Sequence, residues 1–486
     1  VAALAKDYRK SGLQVIRVIS GDNELAALDF QKHYEMPVVY LMDSDRAFER
    51  KHNRDGWPFL MLVDPNGQVV YKCNNLVDRD RELMQQLQKL KNESFSAETK
   101  MADGVFYMTS TLQHCREVEK TQQSERFASI AAGRDGQIYT VFTSLKDGNS
   151  DVVMRISDGT SLGKDIPIAA TDADEYDGTV IIDNKDRVWV CWTSNAVDDK
   201  YQVHLTSLKD VRDGRESVNV SKSQDDAMHG RMAADDSGSI WITYYQWHNM
   251  GQNSRDKEVY LRNYSNGALS EQVHISPTDV PVYEDHTNPS ISILNGQFFV
   301  SWSWDFHRPK GYTNEAREPT IFARTINQDF KLGRPFHLSG HRIDDTPMLA
   351  SANNNNLWCA WDSLGRSQKV RAYRKNLYVR SLNTNEAVGQ EFAIAQDLVN
   401  VCSPCFAFDS TGKGVLTFSQ SENGRDWSLW KADYDSDGNC WKEPVMVISE
   451  GNPRFGSCVY DTKGKLWIAY SVRTDEGRKV EVKRVD

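Results

Sequence analysis

The chain has 486 residues, of which 39% are hydrophobic and 26% charged, as expected for a globular protein of two or three domains. A formal net charge of −10, with no cluster of Lys and Arg, excludes a phosphate-binding nucleic-acid surface. No stretch approaches the roughly 18 apolar residues of a membrane span, and the first residues have neither the basic head nor the apolar core of a signal peptide.

Residues 1–91 alternate helix and strand. "AALAKDYRK" is helical in composition, "LQVIRVI" is an apolar strand, and Asn23 caps a second helix with Glu24 in its first turn. "MPVVYLMD" is a second strand, followed by a short helix over 47–51. "PFLMLV" and "QVVYK" then form a hairpin across "DPNG", and a last helix covers 78–90. This order predicts a parallel core with an antiparallel edge and helices on both faces. Pro58 stands at the mouth of the hairpin, where a missing N–H costs least, and the Trp57–Pro58 bond is a candidate cis peptide.

That order, with "GWP" before the hairpin, resembles a thioredoxin fold of the redoxin or TlpA-like type. The resemblance implies a Cys-x-x-Cys at the start of the first helix, facing the cis-proline loop that carries Trp57 and Pro58. Here the chain opens inside that helix, so the first strand and the redox pair are expected upstream of Val1. Without them the domain is expected to be redox-inactive, since Cys73 is its only thiol.

Residues 92–104 are polar and read as a linker. Beyond them a strand with two large positions three apart recurs seven times: Tyr139/Phe142, Trp189/Trp192, Trp241/Tyr244, Phe299/Trp302, Trp358/Trp361, Val415/Phe418 and Trp467/Tyr470. A spacing of roughly 50 to 60 residues fits a four-stranded propeller blade. Residues three apart point to opposite faces, so each blade offers a large side chain to both neighbours.

Fourth strands follow in blades one to six, from "DIPIAAT" to "PVMVISE", but blade seven ends without one. Residues 105–111, "VFYMTST", have the same pattern and are expected to complete it, leaving no open sheet edge. The expected architecture is therefore multidomain: an α/β thioredoxin-like domain over 1–91, a linker over 92–104, and an all-β seven-bladed propeller over 105–486, closed by an N-terminal outer strand.

The turns "DNKDRVW" and "DTKGKLW" resemble the Asp-box of sialidase-like propellers, and the repeat as a whole is similar to TolB-like and NHL-like blades. "CSPC", at Cys402 and Cys405, looks like a redox motif but enters a strand, aligned with "TNPSIS" and "DTPMLA" of earlier blades. Three extended residues span about 10 Å, too far for a disulfide.

Propellers bind ligands at the axis, on the face where one blade leads into the next. Side chains placed there are Arg126, Asp177, His229, Arg231, His286, Asp345 and Arg454, with Trp304 and His307 from the long loop of blade four. They suggest a polar cup with aromatic walls for a polar small molecule, a glycan or a protein partner. Histidines and carboxylates together suit a first-row metal, but the arginines favour an organic ligand, so neither metal nor cofactor is expected.

Three functions remain open. One is a thiol–disulfide oxidoreductase whose propeller docks substrates, and another is a non-catalytic binding or assembly protein. The third is a sialidase-like glycan hydrolase, in which Arg126, Arg231 and Arg454 would clamp a carboxylate. The compartment expected is periplasmic or extracellular, with the cytoplasm as the alternative.

Overall fold

The computed structural model describes the backbone of 15–20, 38–43, 60–63 and 69–73, and then residues 123–485 apart from short segments, the longest being 307–319. The chain divides into two units, Val1–Gln122 and Gln123–Asp486. In the first, Val15–Ser20 runs parallel to Val38–Asp43, and Leu60–Val63 pairs antiparallel with Val69–Cys73. These four strands lie where the apolar runs put them. Helices, Trp57, Pro58 and the expected closing strand 105–111 lie outside the described residues, and two strand pairs do not by themselves single out a thioredoxin-like fold.

The second unit is built of seven antiparallel sheets. Their first strands are Gln123–Ala132, Glu175–Ile182, Ala227–Ala234, Glu284–Leu294, Ile343–Ala352, Asn400–Phe408 and Arg454–Tyr460. Each pairs with the strand that follows it, and that one with a third. Fourth strands complete six sheets, as at Ile166–Ala169 and Val445–Ile448, in the segments that the sequence assigns to them. Consecutive first strands are neighbours all the way round, including the seventh with the first. Parallel bridges join Lys257 to Asp285 and Gly477 to Gln123 at two of these steps. The result is a closed ring of seven blades around the first strands.

Seven apolar cores hold the ring, one between each pair of blades. In every repeat the first large residue enters the core with the next blade and the second enters the core with the preceding one. Tyr139 packs towards blade two and Phe142 towards blade seven. Trp358 and Trp361 divide in the same way between blades six and four, and Trp467 and Tyr470 between blades one and six. A strand has a period of two, so a spacing of three places one ring on each side of the sheet.

The Asp-box turns, between first and second strands, cap the face opposite the one where one blade leads into the next. Asp183 accepts backbone N–H groups from Lys185 and Arg187, both at 2.9 Å, and the indole N–H of Trp189 at 3.0 Å. Asp235 repeats this with Ser237, Ser239 and Trp241, and Asp461 with Lys463, Lys465 and Trp467. One carboxylate thus closes the turn and fixes the first tryptophan of the strand. Burial raises the Asp235 pKa, but its hydrogen bonds outweigh burial and hold the carboxyl below the usual range. Asp235→Ala leaves the Trp241 indole, 3% exposed, without this acceptor. Its urea midpoint should fall by the equivalent of about 2 kcal/mol at an unchanged m-value, and Asp235→Asn should lose less.

"CSPC" is a strand irregularity, as its alignment suggests. Cys402 and Cys405 pair with Ser419 and Thr417, and the ladder slips between them. Both are free thiols, as are the other four cysteines among the described residues.

Candidate functional site

Every first strand carries the same break. The ladder slips at one point in each, and the residue there has positive φ: Phe127, Asp177, His229, Asn288, Thr346, Ser403 and Phe455, all between 50° and 56°. Each is a β-bulge, two residues facing one on the partner strand. The next residue is Ala, Gly or Pro in all seven cases. At Gly230 the reason is a close approach: a Cβ there would lie 2.4 Å from Cys191 Sγ of the preceding blade. Hydroxyls of the preceding blade hold several bulges, since Thr143, Thr193 and Ser303 accept the N–H of Asp177, His229 and Thr346.

The registers place these bulges at the edge where first strands begin, second strands end and third strands begin, opposite the Asp-box turns. This joining face concentrates charge. Asp177 binds Arg231 through two bonds, Nη1 to Oδ2 at 2.8 Å and Nη2 to Oδ1 at 3.1 Å, and His229 Nδ1 lies 3.2 Å from Oδ2. His229 stacks on Tyr245 at 5.3 Å. Two aromatic pairs accompany this group, Tyr176 with Tyr201 at 5.5 Å and Phe127 with Phe455 at 4.8 Å.

A second network joins blades four and five. Asp345 Oδ1 accepts Asn288 Nδ2 at 2.8 Å and Ser303 Oγ at 2.7 Å. Thr346 Oγ1 donates to Asp362, which also holds Lys375 Nζ at 3.0 Å. Lys257 and Asp285 form another buried pair at 3.0 Å, with Lys257 lying over Trp247. Spacing in the sequence gives no sign of these two lysine pairs, because their partners come from different strands.

The residues singled out from sequence do not share one place in the blades. Asp177 and His229 are bulge residues. Arg126, Asp345 and Arg454 come one before the bulge, His286 two before it, and Arg231 two after it. An arginine trio at equivalent positions is therefore not what the ring presents: Arg231 is paired to Asp177, while Arg454 is 4% exposed and lies over Trp427. Neither Arg231 nor Arg454 sits on an exposed loop, since both belong to first strands.

His286 is interior. It is 1% exposed, accepts the Trp302 indole N–H at 2.8 Å, and burial lowers its pKa to about 4. Trp304 is no wall of a cup but part of the core between blades three and four, edge-on to Phe322. His307 lies outside the described residues. Among the described residues no group of three or more His, Cys, Asp or Glu has the arrangement of a metal site, and no helix is long and apolar enough to cross a membrane.

No protein-family model and no curated protein matches the chain. Among solved structures it is similar to a PL25 ulvan lyase, with 11% identity over 74% of this chain and 98% of that one and a TM-score of 0.48. A protein of unknown function from Dyadobacter fermentans gives 10% identity over 75% and 95%, with a TM-score of 0.45. The NanB sialidase from Streptococcus pneumoniae gives 9% over 74% and 68%, with a TM-score of 0.41. At such values nothing about the chemistry of this chain follows from these likenesses.

Proposed function

We propose that the propeller binds a hydroxyl-rich organic ligand of the glycan type at its joining face, over Asp177, His229 and Arg231. One observation carries this reading: the paired charges of that group share a face with two partly exposed aromatic pairs, and Phe127, Tyr176, Asp177, His229, Arg231 and Phe455 are seated at or beside strained bulges. Backbone strain held at one place in every blade is characteristic of sites that fix side-chain geometry. A paired carboxylate and guanidinium meet hydroxyls without presenting a net charge, and aromatic rings cover the apolar faces of sugar rings. Polar groups convergent among aromatic walls are the usual composition of a small-molecule site.

Affinity electrophoresis through gels containing a neutral glucomannan or a carboxylated pectate tests the proposal. The protein should be retarded by at least one of the two. Asp177→Asn should weaken retardation about tenfold or more, as loss of a convergent charged hydrogen bond does. Its stability should change by only about 1 kcal/mol, because the Asp177–Arg231 pair is partly exposed. Equal retardation of the wild type and Asp177→Asn, or none of the wild type, would refute the reading.

A further inference from the structure

A recess lies between blades one and two, and none of Asp177, His229 and Arg231 lines it. It is a groove of about 360 Å³, lined by Ile168 and Ala170 from the outer edge of blade one and by Glu175, Trp192, His204 and Thr206 from blade two. Its floor is aromatic, Trp192 and His204 being stacked at 5.5 Å and only 3% and 8% exposed. The short helix Leu208–Arg212, capped by Ser207, leads into the segment that supplies the rim residues Arg215 and Ser217.

Its polar groups are numerous and electrically quiet. Arg215 is paired with Asp210 at 3.1 Å. Glu175, 1% exposed, accepts the Thr171 hydroxyl at 2.5 Å, the Thr171 N–H at 3.3 Å and the Ser194 hydroxyl at 3.4 Å. Three of roughly four acceptor positions on the carboxyl are thus occupied. Burial raises its pKa. His204 differs from these. Its Nδ1 lies 3.1 Å from Ser217 Oγ, while Nε2 is buried with no hydrogen-bond partner among the described residues. An unpartnered ring nitrogen just beneath the groove is a position that an incoming hydroxyl can complete once the imidazole turns towards it.

We infer that this groove is a binding site for one uncharged sugar ring, in which Trp192 and His204 form the floor and His204 and Glu175 take hydroxyl hydrogen bonds. The volume suits a single ring, since small-ligand sites begin at about 300 Å³. A charged ligand would find no uncompensated partner. An apolar one would leave the His204 nitrogen unmet. The inference stands apart from the proposed function, because no residue of the Asp177–His229–Arg231 group lines the groove.

The test is a titration of the whole chain with methyl β-glucoside, methyl β-galactoside and myo-inositol, followed through the tryptophan indole N–H signals. Trp192→Phe identifies the signal of Trp192. At least one probe should shift that signal saturably. Ala170→Trp fills the groove from an exposed rim position and should weaken binding about tenfold or more. Asp177→Asn should leave it unchanged. Ser217→Ala, which frees Nδ1, should alter the affinity while leaving the melting temperature within a degree or two, as for an exposed position. The inference is overturned if no probe moves the Trp192 signal, if Ala170→Trp binds as the wild type does, or if Asp177→Asn abolishes the shift. That last result would place the ring at the Asp177 group instead.

Discussion

Trp358→Ala is expected to be the most damaging single substitution in the propeller, lowering stability by about 3–5 kcal/mol. The Trp358 side chain is fully buried between blades five and six, edge-on to Tyr434 at 5.2 Å and to Trp441 at 5.4 Å. Removing it leaves a cavity that two rigid sheets cannot close. Trp361→Ala, in the core with blade four, should cost about as much through an independent interface. Thermal melts of the two single variants and the double variant measure this. Near-additive losses are predicted, and losses of less than about 1 kcal/mol would mean that these rings do not hold the ring of blades together.

Acidification from pH 7 to pH 4 should destabilise the fold by several kcal/mol without any change in sequence. Burial lowers the pKa of both His204 and His286 to about 4 from an ordinary 6.5. The unfolded chain therefore binds more protons between these values. The stability from each neutral imidazole is complete above pH 6.5 and is lost as pH falls towards 4, a difference of roughly 3 kcal/mol apiece. Glu175 and Asp151 act in the opposite sense, because burial raises their pKa values and favours the folded state as they protonate. Asp235 and Asp461, held below the usual range by their Asp-box bonds, extend the loss below pH 4. His286→Gln keeps an acceptor for the Trp302 indole and removes one titration. Its melting temperature should fall less steeply between pH 6.5 and 4 than that of the wild type, and equal slopes would contradict the assignment.

The architecture was legible in the sequence where one residue type has one geometric use. Two large side chains three apart on a strand must serve both neighbouring sheets, and an aspartate six residues before a tryptophan can close a turn and take its indole N–H. Both patterns are local. The joining face was less legible because its relations are not. Asp177 and Arg231 lie 54 positions apart, and Lys257 meets Asp285 only once two blades stand side by side.

The bulges could have been found. "FAS", "DGT", "HGR", "NPS", "TPM", "SPC" and "FGS" place Ala, Gly or Pro at one point in each first strand, and that is a signal of a break in a ladder. Trp304 and Arg454 misled for a physical reason: the end of a strand near a loop can be as buried as its middle, and residue type does not say which.

The most direct test of the central claim is a crystal structure of the chain with the polysaccharide fragment that retards it in affinity electrophoresis. Sugar density is expected over Asp177, His229 and Arg231, with a hydroxyl within hydrogen-bond distance of the carboxylate and a ring against Tyr176 or Phe127. Density confined to the Asp-box face, or to the outer strands with the joining face bare, would contradict it.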